Sequence, residues 1–186
     1  RILEIKYLKE LKSNLEFDLK DIAFNIEFNE SRKKSNEIII HQLRSDIPYH
    51  DSLAFHFSNL VFSTRTLPKK SAFESLRSKG LEIISNDSLR SELTLIYSVS
   101  YHDAIDFETK DDHPFQFQVL WPEVLKVIEI DSLGKAARPV NYPRLKNNIT
   151  FKNALTANLT IRKYMIDKYY ALELKVANLI QLIDKE

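Results

Sequence analysis

Five histidines are the first residues to weigh for chemistry: His41, His50, His56, His102 and His113. They are scattered. None stands in His-Glu-x-x-His, and no Glu-x-x-His pair of the di-iron type is present. Glu37 and His41 share a helix face at i, i+4, as many surface pairs do. Asp111, Asp112 and His113 have the chemistry of metal ligands but the setting of a solvated turn, so no metal and no cofactor is expected. With no cysteine, thiolate sites and disulfides are excluded. No Gly-x-Ser-x-Gly elbow occurs, and the two glycines, Gly80 and Gly134, stand too far apart to cradle a phosphate. No catalytic residue can be named.

Two looser constellations remain. Tyr49, His50, His56, Tyr97, Tyr101 and His102 could line a pocket between helices, for a small-molecule binder or an enzyme; the plainer expectation is core and rim packing. The other is a reversal of charge. Residues 103–131 carry eight acidic side chains against Lys110 and Lys126, whereas residues 132–166 carry seven basic ones and no acid. One outcome is internal pairing of the two segments, since adjacent opposite charges find each other first. The other is an anion or partner patch in the loop GKAARPVNYPRLK, formed by Lys135, Arg138, Tyr142, Arg144 and Lys146, with polyanion binding as its extreme form.

The elements that must position these residues read as helices. At 186 residues, 44% hydrophobic and 28% charged, the chain suits a single domain over residues 1–186. Two glycines and six prolines argue for few, long elements. A net charge of +1 makes no case for nucleic acid. Residues 1–45 carry Ile5, Leu8, Leu11, Leu15, Leu19, Ile22 and Ile26 at spacings of three and four, one stripe of a helix about 65 Å long. The stripe falters through Asn29–Glu37, which reads as an exposed patch of a continuous helix. A shorter helix is expected over Tyr49–Phe62, a connector over 63–70, and a turn or kink at Lys110–Pro114. Phe115–Ile130 is ambiguous, and we read it as helix on both sides of Pro122. A loop over 131–148 and a final helix from Thr150 to Lys185 complete an all-α, elongated antiparallel helical bundle with two long terminal helices.

The middle of that bundle is punctuated most fully at Ser71–Tyr101. Ser71 and Glu74 have capping-box spacing, Gly80 suits a left-handed helix end with Leu81 folded onto Leu76, and Ser85 reads as the next N-cap between Ile84 and Leu89. Four residues separate Gly80 from Ser85, too many for a DNA-reading helix-turn-helix, and the second helix has little positive charge. This is a structural corner.

The stretches KYLKELKSNLEFDLKDI and AFESLRSKGLEIISNDSLRSELTLIY resemble an uncharacterised family of membrane-anchored proteins common in Bacteroidota. In that family a short N-terminal membrane helix precedes a soluble helical domain. The resemblance implies an anchor upstream of Arg1, where the chain opens inside a helical pattern, and a periplasmic soluble part. It brings no catalytic residues. The expectation is a non-enzymatic module for ligand sensing, partner binding or oligomerisation, with itself or another envelope protein as partner, no nucleic acid, and membrane contact only through the missing helix.

Overall fold

In a computed structural model that describes all residues from Arg1 to Glu186, 77% of the chain is helical and the only sheet has two strands. The all-α reading holds, long terminal helices included. Helix α1 spans Ile2–Arg44 and α8 spans Ile149–Ile183. Between them lie α2 (Ala54–Ser58), α3 (Ser71–Lys79), α4 (Asp87–Leu95), α5 (Tyr101–Phe107), α6 (Trp121–Val127) and α7 (Tyr142–Lys146). Strands β1 (Ile128–Ser132) and β2 (Ala136–Pro139) form an antiparallel hairpin, Ile128 opposite Pro139.

The chain divides into two compact units. One consists of residues 1–26, 65–106 and 167–186; the other of residues 27–64 and 107–166. In the first unit, Leu8, Leu11, Leu15 and Ile22 of α1 are buried as their spacing requires, together with Leu76, Leu93, Ile96 and Tyr101. Tyr169, Leu172, Val176 and Leu179 of α8 are buried in the same unit. Lys12 meets Asp184 at 2.5 Å, so α1 and α8 run antiparallel here. The second unit has its own core, in which Ile39, Leu43, Phe57, Leu60, Leu120 and Phe151 are members.

Several local expectations are corrected. The corner keeps its place but not its detail. Helix α3 begins at Ser71 with no side-chain cap, so the Ser71–Glu74 box does not form. The cap of α4 is Asn86, whose side chain accepts from the Leu89 N–H, and not Ser85. Gly80 has φ +111° and ψ 124°, a positive φ open to glycine but not the left-handed helical value of a Schellman ending. The Ser85 N–H and hydroxyl instead donate to the Glu4 carboxylate at 2.8 and 2.5 Å.

The helix expected over Tyr49–Phe62 is cut to one 3-10 turn (Asp51–Leu53) and the five residues of α2, after which the chain runs without regular structure to Lys70. Of the turn or kink expected at Lys110–Pro114, the turn is absent and the helix is only widened. Helical geometry continues from Asp87 to Val127, widened to π turns at Ile96–Ser100, Glu108–Asp112 and Phe115–Leu120. A proline removes one N–H and crowds the carbonyl four residues back; the wide turn just before Pro114 makes room for it. Phe115–Val127 is helical on both sides of Pro122, as read, but Ile128–Ile130 leave the helix as β1.

Candidate functional site

The faltering stretch of α1 is exposed only in part: Lys34 and Glu37 face solvent, but its small polar residues turn inward. Asn29, Ser35 and Asn36 are all buried in the second unit, and so are Asn158 and Arg162 of α8. Their purpose lies in the irregular chain from Asn59 onward. Backbone groups outside helix and sheet still need partners once buried. In this unit helix side chains supply them. Asn36 and Asn158 both donate to the carbonyl of Leu60, at 3.3 and 3.0 Å. Arg162 donates to the carbonyl of Phe62 and, at 2.6 Å, to the Asn29 side chain. The His113 Nε2 donates to the carbonyl of Thr64 at 3.0 Å, and Asn29 donates to the Thr64 hydroxyl at 3.1 Å. Carbonyls 60, 62 and 64 are thus each met by a side chain from a helical segment.

The first unit treats its part of the segment alike. Asn25 donates to the carbonyl of Arg65 at 3.3 Å, Asp21 accepts from the Leu67 N–H at 3.3 Å, and Asp18 accepts from the Lys69 N–H at 2.9 Å. Asp18 also accepts from the Tyr101 hydroxyl at 2.6 Å. Burial raises the Asp18 carboxyl above its ordinary range, and burial beside Asp18 raises the Tyr101 phenol. A hydrophobic pattern marks such residues only as interruptions, which is why sequence reasoning passed over them.

The Tyr/His set falls into the two units. Tyr49, His50 and His56 belong to the second unit, and Tyr97, Tyr101 and His102 to the first. Tyr49 packs on Phe57 and Tyr142, with ring centroids 6.3 and 5.7 Å away. His50 caps the short 3-10 turn, its Nδ1 accepting from the Ser52 N–H at 3.1 Å. His56 lies 3.1 Å from the Ser35 hydroxyl, and burial lowers its basicity. A Ser–His contact invites a nucleophilic reading, but Ser35 is 1% exposed and also bonds to the Asn59 amide at 3.0 Å. Tyr97 stacks on Phe73 at 4.4 Å, and both are buried. His102 is exposed, 3.7 Å from Asp106.

The basic loop is partly neutralised. Arg138 pairs with Glu129 at 3.0 Å and Asp131 at 3.6 Å across the hairpin. Lys146 meets Asp46 of the α1–α2 connection at 3.8 Å, and Lys163 meets Glu37 at 3.9 Å. Arg138 thus pairs with the acidic 103–131 segment, whereas Lys146 and Lys163 find Asp46 and Glu37 in or just after α1. The Tyr142 hydroxyl donates to the carbonyls of Ile47 and Gln42 at 3.3 and 3.4 Å, a tie rather than a free contact.

Lys135, at the hairpin turn, and Arg144 are both exposed and form no ion pair. Arg144 has its backbone N–H held by the Asn141 side chain at 2.9 Å. It stands at a cleft of about 280 Å³ lined also by Lys126, Val127, Val140, Asn141, Leu145 and Asn148. Of the candidate site residues read from the sequence, the cleft contains Arg144 alone. The two asparagines carry a signal that could have been read, since each opens a helix as its N-cap.

No protein-family model matches the chain, and neither a curated protein nor a solved structure is similar to it.

Proposed function

We propose that this chain is a non-enzymatic helical module of a membrane-anchored protein, one that works outside the cytoplasm by binding and not by catalysis. The observation that carries the reading is the employment of the buried polar side chains. Asp18, Asn25, Asn36, Asn158 and Arg162 each hold backbone of the segment 59–70. A catalytic acid, base or nucleophile needs a reachable substrate and freedom to exchange its proton. Side chains spent on buried backbone have neither, so activity falls to the surface, where recognition of a ligand or of another protein takes place.

The anchor rests on the resemblance of the two quoted stretches to the Bacteroidota family. No helix of the chain is long and apolar enough to cross a membrane, so in this reading the anchor belongs to a segment outside these residues. The partner is then a second copy or another envelope protein. The test is fractionation of the full-length protein in its native host, with protease added to intact spheroplasts. We expect recovery in the membrane fraction that survives carbonate extraction, and digestion from the outer side. Recovery in the soluble cytoplasmic fraction overturns the proposal.

A further inference from the structure

The geometry of the second unit points to a ligand for its cleft: we infer that the space bounded by Lys126, Asn141, Arg144 and Asn148 binds a small amphipathic carboxylate, a single anionic head carrying a short hydrocarbon or aromatic group. The inference rests on the binding role proposed above and names the class of molecule bound.

The polar lining is one-sided. No acidic residue lines the cleft. The Asn141 side-chain oxygen is spent on the Arg144 N–H at 2.9 Å, and that of Asn148 on the Phe151 N–H at 3.0 Å. Each oxygen is turned toward a helix N–H, which leaves the amino groups of both amides without a protein partner. Arg144 adds five guanidinium donors and a charge that no carboxylate meets. Lys126 stands at the rim, bound to Glu123 at 2.7 Å and exposed. A lining with an unpaired guanidinium, two amides and no carboxylate is complementary to an ionised oxyanion.

The rest of the lining selects among oxyanions. Val127, Val140 and Leu145 supply an apolar wall. Val140 is 68% exposed, so its surface gains from cover by hydrocarbon. Inorganic phosphate would meet the guanidinium but leave this wall wet. A long polyanion needs a row of free charges, whereas Arg138 and Lys146 on either side are paired with carboxylates. The walls are also held in advance. The Val140 N–H donates to the carbonyl of Val127 at 2.9 Å, and the Leu145 N–H to that of Asn141 at 2.9 Å. A preformed site loses little ordering entropy when filled.

The experiment is calorimetric titration of the chain with sodium hexanoate, 1-hexanol and inorganic phosphate in parallel. For a ligand of this size we expect hexanoate to saturate with a Kd of about 0.1–1 mM and to outbind the other two at least roughly tenfold. Arg144→Gln and Val140→Glu, both at exposed positions, should each abolish this binding, while Lys135→Gln should leave it unchanged. Equal binding of hexanol removes the anionic head from the inference, and equal binding of phosphate removes the hydrocarbon; either result overturns it. So does the absence of hexanoate binding at about 10 mM, or retention on heparin that Arg144→Gln eliminates, which would assign the site to a polyanion. None of these results moves the fractionation test, so failure here is distinguishable from failure of the anchored-module reading.

Discussion

The Arg162 guanidinium donates to the backbone carbonyl of Phe62, and Phe62 is the one residue other than glycine with a positive φ, at +82°. A bulky residue in that region costs on the order of 1–3 kcal/mol and persists only when its surroundings hold it. Here they do so from both sides. The arginine, 0% exposed, fixes the carbonyl, and the Phe62 ring packs 5.4 Å from Trp121 and 6.3 Å from Phe117.

Phe62 therefore yields a reversal of an ordinary order. Glycine normally destabilises relative to alanine, but at a positive φ alanine is strained and glycine is not. Both Phe62→Ala and Phe62→Gly lose the ring contacts, so their difference isolates the backbone. Urea unfolding should find Phe62→Gly the more stable of the two by about 1 kcal/mol. Arg162→Met, which leaves the Phe62 carbonyl and the buried Asn29 side chain without this donor, should cost about 3 kcal/mol in the same assay.

Arg162 also shows what could be read from sequence and what could not. The apolar stripe of α1 from Leu8 to Ile26 and that of α8 from Met165 to Ile183 are legible because burial of leucine and isoleucine needs no knowledge of the partner. The polar stretch Asn29–Glu37 was read as exposed for the same reason in reverse. Its amides are buried because the irregular segment from Leu60 to Thr64 needs donors, a requirement that exists only once the chain has folded. Ile128–Ile130 fit a helix or a strand equally, and the partner strand hides behind Pro139, which closes it at the edge. In the cleft, the charge of Arg144 was visible, whereas its freedom from any carboxylate depends on where Glu129, Asp131 and Asp46 lie.

Two carboxylates of the first unit should give opposite pH dependences. Glu4 is held below the ordinary carboxylate range, chiefly by the Ser85 hydroxyl and then by the Ser85 N–H. A lowered folded pKa means stability that is present above the unfolded value of about 4.3 and lost as pH falls through the folded one. Asp18 is raised, mainly by burial. Its contribution is full below the unfolded value of about 3.9 and is lost as pH rises through the folded one. Thermal unfolding followed from pH 3 to 7 should show Glu4→Gln losing most against wild type at the neutral end, by about 1–2 kcal/mol. Asp18→Asn should compare better with wild type at pH 7 than at pH 3. Parallel profiles for the two variants would refute both assignments.

Gly80 separates two causes that usually travel together. A Cβ there would stand 2.8 Å from Oε2 of Glu82, and the φ of +111° is strained for any L side chain. The glutamate end is flexible and can swing away; the backbone cannot. Gly80→Ala should cost about 1–2 kcal/mol, and adding Glu82→Ala should recover only a small part of it. Full recovery in the double variant would show that the side-chain clash, and not the backbone, is what glycine avoids.

Asn36 and Asn158 offer the sharpest test of the buried ladder in the second unit. Asn158 donates to Asn36 Oδ1 at 3.0 Å, both donate to the Leu60 carbonyl, and Asn158 accepts from Gln116 at 2.6 Å. Truncating either one strands the other's polar atoms, so each alanine substitution alone should cost about 2 kcal/mol. Each single variant leaves the Leu60 carbonyl one donor, whereas the double variant leaves it neither. The two losses should therefore not add, and a double-mutant cycle should return a coupling of about 0.5–3 kcal/mol. Additive losses would mean that the two amides serve the Leu60 carbonyl independently and that the ladder is only a row of separate ties.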